Sequence, residues 1–105
     1  MKGRNPTKSE KEFWTLLAEV VGCIACRKDG RQNFHVSIHH IDGRTKEWAH
    51  KMVLPLCSGH HQDGTGAPGL IAVHPYKARF EAQYGTQEEL LEECIEILTD
   101  ESALN

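Results

Sequence analysis

The sequence predicts a small α+β domain. Its 105 residues, 39% of them hydrophobic, suit one domain. The order of predicted segments is helix, cysteine pair, two short strands, cysteine–histidine cluster and further helices. Four Cys and seven His are many metal-ligand side chains for this length, and a domain with so little core gains stability from an internal metal. We therefore expect a single α+β domain organised around a metal ion.

The first predicted element is a helix over about residues 10–21, where apolar side chains recur at helical spacing. Ser9 and Glu12 match a capping box, and Gly22 is a typical helix stop. Residues 1–8 are polar, and we expect them to form a flexible basic arm. The folded domain is then expected to span residues 9–100.

Two strands should follow. The polar run 27–33 favours a turn, and residues 34–39 alternate apolar and polar side chains, as a half-buried strand does. Residues 52–56 predict a second strand, in which Pro55 indicates an edge or a bulge. Residues 57–62 are expected to open a short helix.

The C-terminal part is predicted to be helical after an extended segment at residues 70–73. We expect one helix over residues 76–84 and a last one over about 87–99, opened by a capping box of Thr86 and Glu89. The apolar stripe of the last helix consists of Leu90, Leu91, Cys94, Ile95 and Leu98. Cys94 is expected to pack in the core.

Charge is distributed unevenly. Residues 1–79 hold all 12 Lys and Arg and 7 acidic residues, a net +5, whereas residues 80–105 hold 8 acidic residues and no Lys or Arg, a net −8. A basic body can bind a polyanion while an acidic segment faces away. An acidic helix face exposed to solvent explains the same distribution.

Two ligand pairs predict a structural zinc site. Cys23-x-x-Cys26 and Cys57-x-x-His60 would supply three thiolates and one imidazole, and zinc prefers four such ligands in a tetrahedron. A closed set of four leaves no position for substrate, so the site should support folding. The alternative is four unrelated buried residues, since free Cys is common in cores.

A second group of histidines could form a reactive centre. His39 and His40 end the first predicted strand, and His61 directly follows the zinc pair. If His39 and His61 bind a divalent cation, His40 is left to act as a base on water. Strict strand alternation, however, sends His39 and His40 to opposite faces.

These motifs resemble the HNH (ββα-metal) endonucleases, and in particular the phage recombination-enhancement (Ref-like), RecA-dependent nucleases. The stretches that carry the resemblance are residues 39–46 (HHIDGRTK), 54–62 (LPLCSGHHQ) and 74–81 (HPYKARFE). The resemblance implies a zinc-stapled ββα-metal core over about residues 22–75, flanked by helices at about 76–99. It also implies Mg²⁺ or another divalent ion, DNA as substrate, a RecA filament as partner, and the cytoplasm of a bacterial host.

By position, the resemblance makes His39 and His61 ligands of the catalytic metal and His40 the general base. The family's middle Asn, which orients the base, has no counterpart near the second strand; either His50 fills that role or the position is empty. The last family His corresponds to Thr65. His74 either replaces it as the third ligand or serves only at a helix start.

Basic side chains could bind the DNA backbone without reading sequence. The candidates are Arg4, Lys8, Arg27, Lys28, Arg31, Arg44, Lys46, Lys77 and Arg79. Ordinary solubility charge is the alternative explanation.

The leading hypothesis is a metal-dependent DNA endonuclease that acts in recombination on RecA-bound DNA. The alternative is a catalytically silent zinc module that binds DNA or assists recombination. No apolar run approaches the ~18 residues of a membrane helix, and no secretory pattern opens the chain. We therefore expect a cytoplasmic protein without membrane contact.

Overall fold

In the computed structural model, which describes residues 5–43, 48–62, 64 and 71–100, short helices surround a two-stranded antiparallel sheet. The helices are α1 (Lys8–Leu16), α2 (Ile24–Lys28), α3 (Ser58–His61), α4 (Val73–Tyr84) and α5 (Gln87–Asp100). A π-helical turn, Leu17–Val21, continues α1. The strands are β1 (Ser37–His40) and β2 (Val53–Leu56). The predicted α+β class is confirmed.

The N-terminal helix begins earlier than predicted. The Thr7 hydroxyl accepts a hydrogen bond from the Glu10 amide at 3.2 Å, and the Glu10 carboxylate accepts one from the Thr7 amide at 2.7 Å. The capping box predicted at Ser9 and Glu12 is therefore wrong. Both windows match the same four-residue pattern, so local sequence alone does not choose between them. The predicted stop at Gly22 is confirmed, with φ at +70°.

Helix α2 was not predicted, because its polar end resembles a turn. The Cys23 side chain caps it by accepting from the Cys26 amide at 3.4 Å. Arg27 and Lys28, which were placed in the predicted turn, lie in its last turn. A cysteine that the sequence predicts as a zinc ligand thus also caps the start of a helix.

The sheet pairs β1 with β2 so that Ser37 lies opposite Leu56 and His40 opposite Val53. Residues 34–36, predicted as strand, precede the paired segment. Pro55 lies in β2. Each strand of a two-stranded sheet has an open edge, which tolerates proline.

Both predicted C-terminal helices are present, but the start of the first helix and one residue of the buried stripe differ from the prediction. Helix α4 begins at Val73, so the expectation of extended chain there is wrong, and His74 and Tyr76 have non-helical dihedral angles that kink its first turn. The other end of that predicted segment, Leu70, lies outside the described residues. The Thr86–Glu89 capping box is confirmed. Ile95, predicted in the buried stripe, is 40% exposed.

The core forms between the sheet and the helices. All four residues of β2 are buried, and this strand packs against the π-helical turn and α5. The buried stripe of α5 consists of Leu90, Leu91, Cys94 and Leu98. Burial raises the pKa of the Cys94 thiol to about 12, as expected for a packing cysteine. No helix in the described part of the chain has the length and apolar character to cross a bilayer.

Candidate metal centres

Four buried side chains from two distant segments form the first metal group. Cys23 and Cys26 flank the start of α2, and Cys57 and His60 come from α3 and the residue before it. Their ligand atoms all lie within 4.8 Å of one another. The group is the Cys₃His set that the sequence predicted, and it could hold zinc.

The spacing inside this group fits a tetrahedral ion. A zinc ion with its usual bond lengths holds two sulfur ligands about 3.8 Å apart, and a sulfur and a nitrogen about 3.5 Å apart. The Sγ atoms of Cys26 and Cys57 are 3.7 Å apart. His60 Nδ1 lies 3.5 Å from Sγ of Cys23 and of Cys26, and 3.2 Å from Sγ of Cys57.

The outer nitrogen of His60 is held by a buried network. His60 Nε2 lies 3.1 Å from the Tyr84 hydroxyl, which donates to Asp29 Oδ2 at 2.6 Å. The Tyr84 hydroxyl uses its hydrogen in the bond to Asp29, so its oxygen accepts a hydrogen bond from His60 Nε2–H. The lone pair of His60 is therefore on Nδ1, which faces the three sulfur atoms. Burial raises the pKa of the Cys23 thiol. A cation in the group would oppose that shift, since metal ligands bind as thiolates.

Three imidazoles form the second metal group, which we call the histidine triad. His39 lies in β1, His61 in α3 and His74 in the kinked first turn of α4. Their ligand nitrogens also lie within 4.8 Å of one another. The ring centroid of His39 is 5.1 Å from that of His61 and 5.1 Å from that of His74.

Hydrogen bonds orient two members of the triad. His39 is buried, and its Nε2 lies 2.6 Å from Gln87 Oε1 at the start of α5. An amide oxygen only accepts, so His39 carries its proton on Nε2 and its lone pair on Nδ1. Burial lowers the pKa of His39 to about 4, so the ring is neutral near pH 7. His61 Nδ1 is held by the Ser37 hydroxyl at 3.0 Å.

His40 lies outside the triad, beside His50. His40 Nε2 is 3.0 Å from His50 Nδ1. Trp14 packs edge-on to both rings, with centroid distances of 5.4 Å, and its Nε1–H donates to the His50 carbonyl at 2.7 Å. The alternation of β1 accounts for the separation of His39 from His40. His50, proposed from sequence to orient the base, does contact His40.

The three imidazoles of the triad favour some metal ions over others. Neutral imidazole suits Zn²⁺, Ni²⁺ and Fe²⁺, whereas Mg²⁺ prefers oxygen ligands and retains several waters. The three side chains therefore fit a transition ion better than Mg²⁺. A three-residue set also leaves coordination positions for water or substrate, unlike the closed Cys₃His group.

The predicted backbone-binding cations are spread over several elements. Lys8, Arg27, Lys28, Arg31, Lys77 and Arg79 are exposed. Lys28 Nζ forms an ion pair with Glu93 at 2.9 Å, and Arg31 one with Asp29 at 3.4 Å. Arg4, Arg44 and Lys46 lie outside the described residues.

Sequence reasoning missed the side chains that orient these imidazoles, which are Asp29, Ser37, Tyr84 and Gln87. Gln87 contacts His39 across 48 positions of the chain, so no local motif contains both. One signal was present: Gln87 precedes Leu90 and Leu91 by three and four residues, which places a polar side chain on the apolar stripe of its helix. Such a residue needs a buried partner.

The sequence matches a known protein family over most of its length. A family model described as "Recombination enhancement, RecA-dependent nuclease" matches residues 6–99. The matched region contains both metal groups and the His40–His50 pair. Since it covers most of the chain, the protein belongs to the family of recombination-enhancement, RecA-dependent nucleases.

Proposed function

We propose that this protein is a metal-dependent DNA endonuclease of the HNH type, acting in recombination on DNA bound by RecA. The observation that carries the proposal is the histidine triad, together with the His40–His50 pair, in which His40 is the sequence neighbour of the triad member His39. A module that only binds DNA needs neither three convergent imidazoles nor the hydrogen-bonded His40–His50 pair. The description of the family as RecA-dependent supports the partner.

The order of elements supports the HNH assignment. Strand β1 supplies His39 and His40, β2 pairs with β1, and α3 follows with His61. This is the strand–strand–helix arrangement expected of a ββα-metal core. In this proposal the Cys₃His group holds a structural zinc ion that fastens α2 to α3, and His39, His61 and His74 hold the catalytic ion.

A divalent ion at the triad would bind a phosphate oxygen and stabilise the negative charge that develops on the phosphorane and the leaving oxygen. Gln87 fixes His39 so that Nδ1 faces the ion, and Ser37 fixes His61 so that Nε2 does. The exposed cations, among them Lys8, Arg27 and Lys77, would hold the DNA backbone. Arg4, Arg44 and Lys46 are proposed from the sequence for the same purpose.

His40 would act as the general base. For its Nδ1 to accept a proton from water, its Nε2 must carry a proton and donate it to His50 Nδ1. His50 then selects the tautomer of the base and also stabilises the imidazolium that forms. The water oxygen would bond to phosphorus, the bond from phosphorus to the leaving oxygen would break, and that oxygen would take a proton from solvent while His40 returns its own proton to solvent.

A cleavage assay tests this function. Plasmid DNA is incubated with the zinc-loaded protein and Mg²⁺, Mn²⁺ or Ni²⁺, with and without RecA and ATP. We expect nicking that requires one of these ions, and a loss of about 10²–10⁴ in rate for His40→Ala without change in ion affinity. His61→Ala should lose ion binding as well as cleavage.

The same assay distinguishes the proposed endonuclease from the alternative, a catalytically silent zinc-binding accessory module. That alternative expects no cleavage under any of these conditions, with RecA included. Cleavage that persists undiminished in His40→Ala would refute the assignment of the base.

A further inference from the structure

Phe34 presents an aromatic surface to solvent from a fixed position. Its side chain is 48% exposed. A Cβ placed on Gly22 would lie 3.0 Å from Cδ1 and 3.2 Å from Cε1 of Phe34, so the ring rests directly against the glycine. The Asn33 carbonyl accepts from the Cys23 amide at 2.8 Å, and the Asn33 side chain accepts from the His35 amide at 3.0 Å. The chain is thus anchored on both sides of the ring.

A groove leads from this ring to the histidine triad. The groove has a volume of about 550 Å³ and is lined by residues 34–37 together with Ser58, His61 and Gln62. His61 is a triad member that lines the groove, and the Ser37 hydroxyl hydrogen-bonds to its Nδ1. The groove therefore connects an aromatic surface with a proposed metal ligand.

The chemistry of the groove suits a polyanion with planar groups. None of its seven lining side chains is acidic, although the chain carries 15 acidic residues and a net charge of −3. Hydroxyl, amide and imidazole groups can donate to phosphate oxygens, and Phe34 offers a surface on which a base can stack. In a duplex the faces of each base are covered by its neighbours, so only an unpaired base could stack there.

We propose that this groove binds a DNA strand that is single-stranded or locally unpaired, with one base stacked on Phe34. The proposal deepens the proposed function and rests on it for the placement of a phosphate at the triad. Phe34 and Ser37 are three residues apart, at most ~11 Å along extended chain. A stacked strand advances about 3.4 Å per nucleotide, so the stacked base lies within about three nucleotides of the phosphate beside Ser37, which bonds to the triad member His61.

Binding measurements test the groove without any cleavage. The zinc-loaded full chain, with no second ion added, is titrated with fluorescein-labelled dT12 and with a twelve-unit abasic strand of equal charge. Phe34→Ala should weaken dT12 binding about five- to 150-fold and leave abasic binding unchanged. Phe34→Trp should bind dT12 at least as well as the native protein.

Two further variants control for packing. Phe34→Leu keeps an apolar contact with Gly22 and removes the ring, so it should behave like Phe34→Ala. Ile95→Ala removes another exposed apolar side chain, 40% exposed on α5, and should leave both affinities unchanged. Zinc content and melting temperature are compared for every variant.

The outcomes separate this proposal from the proposed function. Equal weakening of dT12 and abasic binding by Phe34→Ala, or no weakening of either, overturns the stacking site even if the protein cleaves DNA through His40. Selective loss of dT12 binding supports the site even if the native protein never cleaves, in which case the endonuclease proposal alone fails.

Discussion

At His39 and at His60 the ring nitrogen Nε2 donates to a buried acceptor. The acceptor is the Gln87 amide oxygen in the first case and the Tyr84 hydroxyl in the second. Each bond fixes both the ring orientation and the tautomer, so that Nδ1 faces the metal group. The two metal groups thus use the same device with different partners.

Gln87→Ala should weaken ion binding at the triad by about 10- to 100-fold, the usual effect of losing a partner of a metal-bound histidine. Without the amide oxygen, His39 can place its proton on either nitrogen and its ring can turn. The measurement is calorimetric titration of the zinc-loaded protein with Ni²⁺. Nitrogen chemical shifts of His39 should also lose the signature of a proton fixed on Nε2.

Gln83→Ala is the matched control, because Gln83 is an exposed residue of α4. It should bind Ni²⁺ like the native protein. An unchanged Ni²⁺ affinity in Gln87→Ala would show that the 2.6 Å contact has no positioning role.

The residues with ligand chemistry could be found from sequence, whereas their partners could not. Cys-x-x-Cys and Cys-x-x-His spacing lets both side chains of a pair reach one ion. The position of His61 directly after the second pair, and of His39 and His40 at the end of the first predicted strand, indicated a second group. Tyr84 and Gln87 come from the far end of the chain, and only tertiary packing brings them to His60 and His39. Their side-chain types are too common to identify a role.

The corner between α4 and α5 supplies both acceptors. Tyr84 is the last residue of α4 and Gln87 the first of α5, and Gly85 and Thr86 connect them. Gly85 has φ +106° and ψ 170°, a region of backbone conformation that is essentially restricted to glycine. The corner therefore depends on this residue to hold two metal groups at once.

Gly85→Ala should destabilise the zinc-loaded protein by roughly 1–3 kcal/mol and weaken Ni²⁺ binding at the triad. A Cβ would come within 3.3 Å of Glu89 Oε1, so the strain falls on the corner and on the start of α5. Urea unfolding gives the first quantity and calorimetry the second.

Gly30→Ala provides the comparison, since Gly30 also has a positive φ, +84°, with open space around it. It should lose stability while the triad keeps its Ni²⁺ affinity. If Gly85→Ala, like Gly30→Ala, keeps the native Ni²⁺ affinity, the corner between α4 and α5 does not position the triad.

At the level of elements, a helix with regular apolar periodicity could be predicted from the sequence, whereas short elements could not. The apolar stripe and the capping box of α5 predicted that helix to within one residue at its end. Helix α2, by contrast, has five residues and is capped by a cysteine side chain, so it offers neither the length nor the usual capping residue from which a helix is predicted. The early start of α4 includes the non-helical residues His74 and Tyr76, and such a kinked first turn has no regular periodicity in the sequence.

In the whole molecule, the Cys₃His group joins segments more than thirty residues apart. The core is small, and β2 contributes only four buried residues to it. A structural zinc ion can supply on the order of ten kcal/mol to the folding of such a domain. The entire architecture, with the sheet and α3, should therefore depend on this group.

Removing zinc should abolish the cooperative thermal transition. Dialysis against a chelator, or the variant Cys57→Ser, is expected to give a protein with reduced helix content by circular dichroism and no sharp melting. Cys94→Ser is the control: it removes a cysteine outside the group and should retain one zinc ion by elemental analysis. Cooperative unfolding of the zinc-free chain at the native temperature would contradict this dependence.

His60 and His61 are neighbours on one four-residue helix, and they belong to different metal groups. Helix α3 is too short to persist alone, so a chain lacking zinc cannot hold His61 opposite His39. A newly synthesised or zinc-starved copy would consequently be unable to assemble the histidine triad. Under the proposed function, cellular DNA would be protected from such immature copies because their metal centre is incomplete, with no separate inhibitor required.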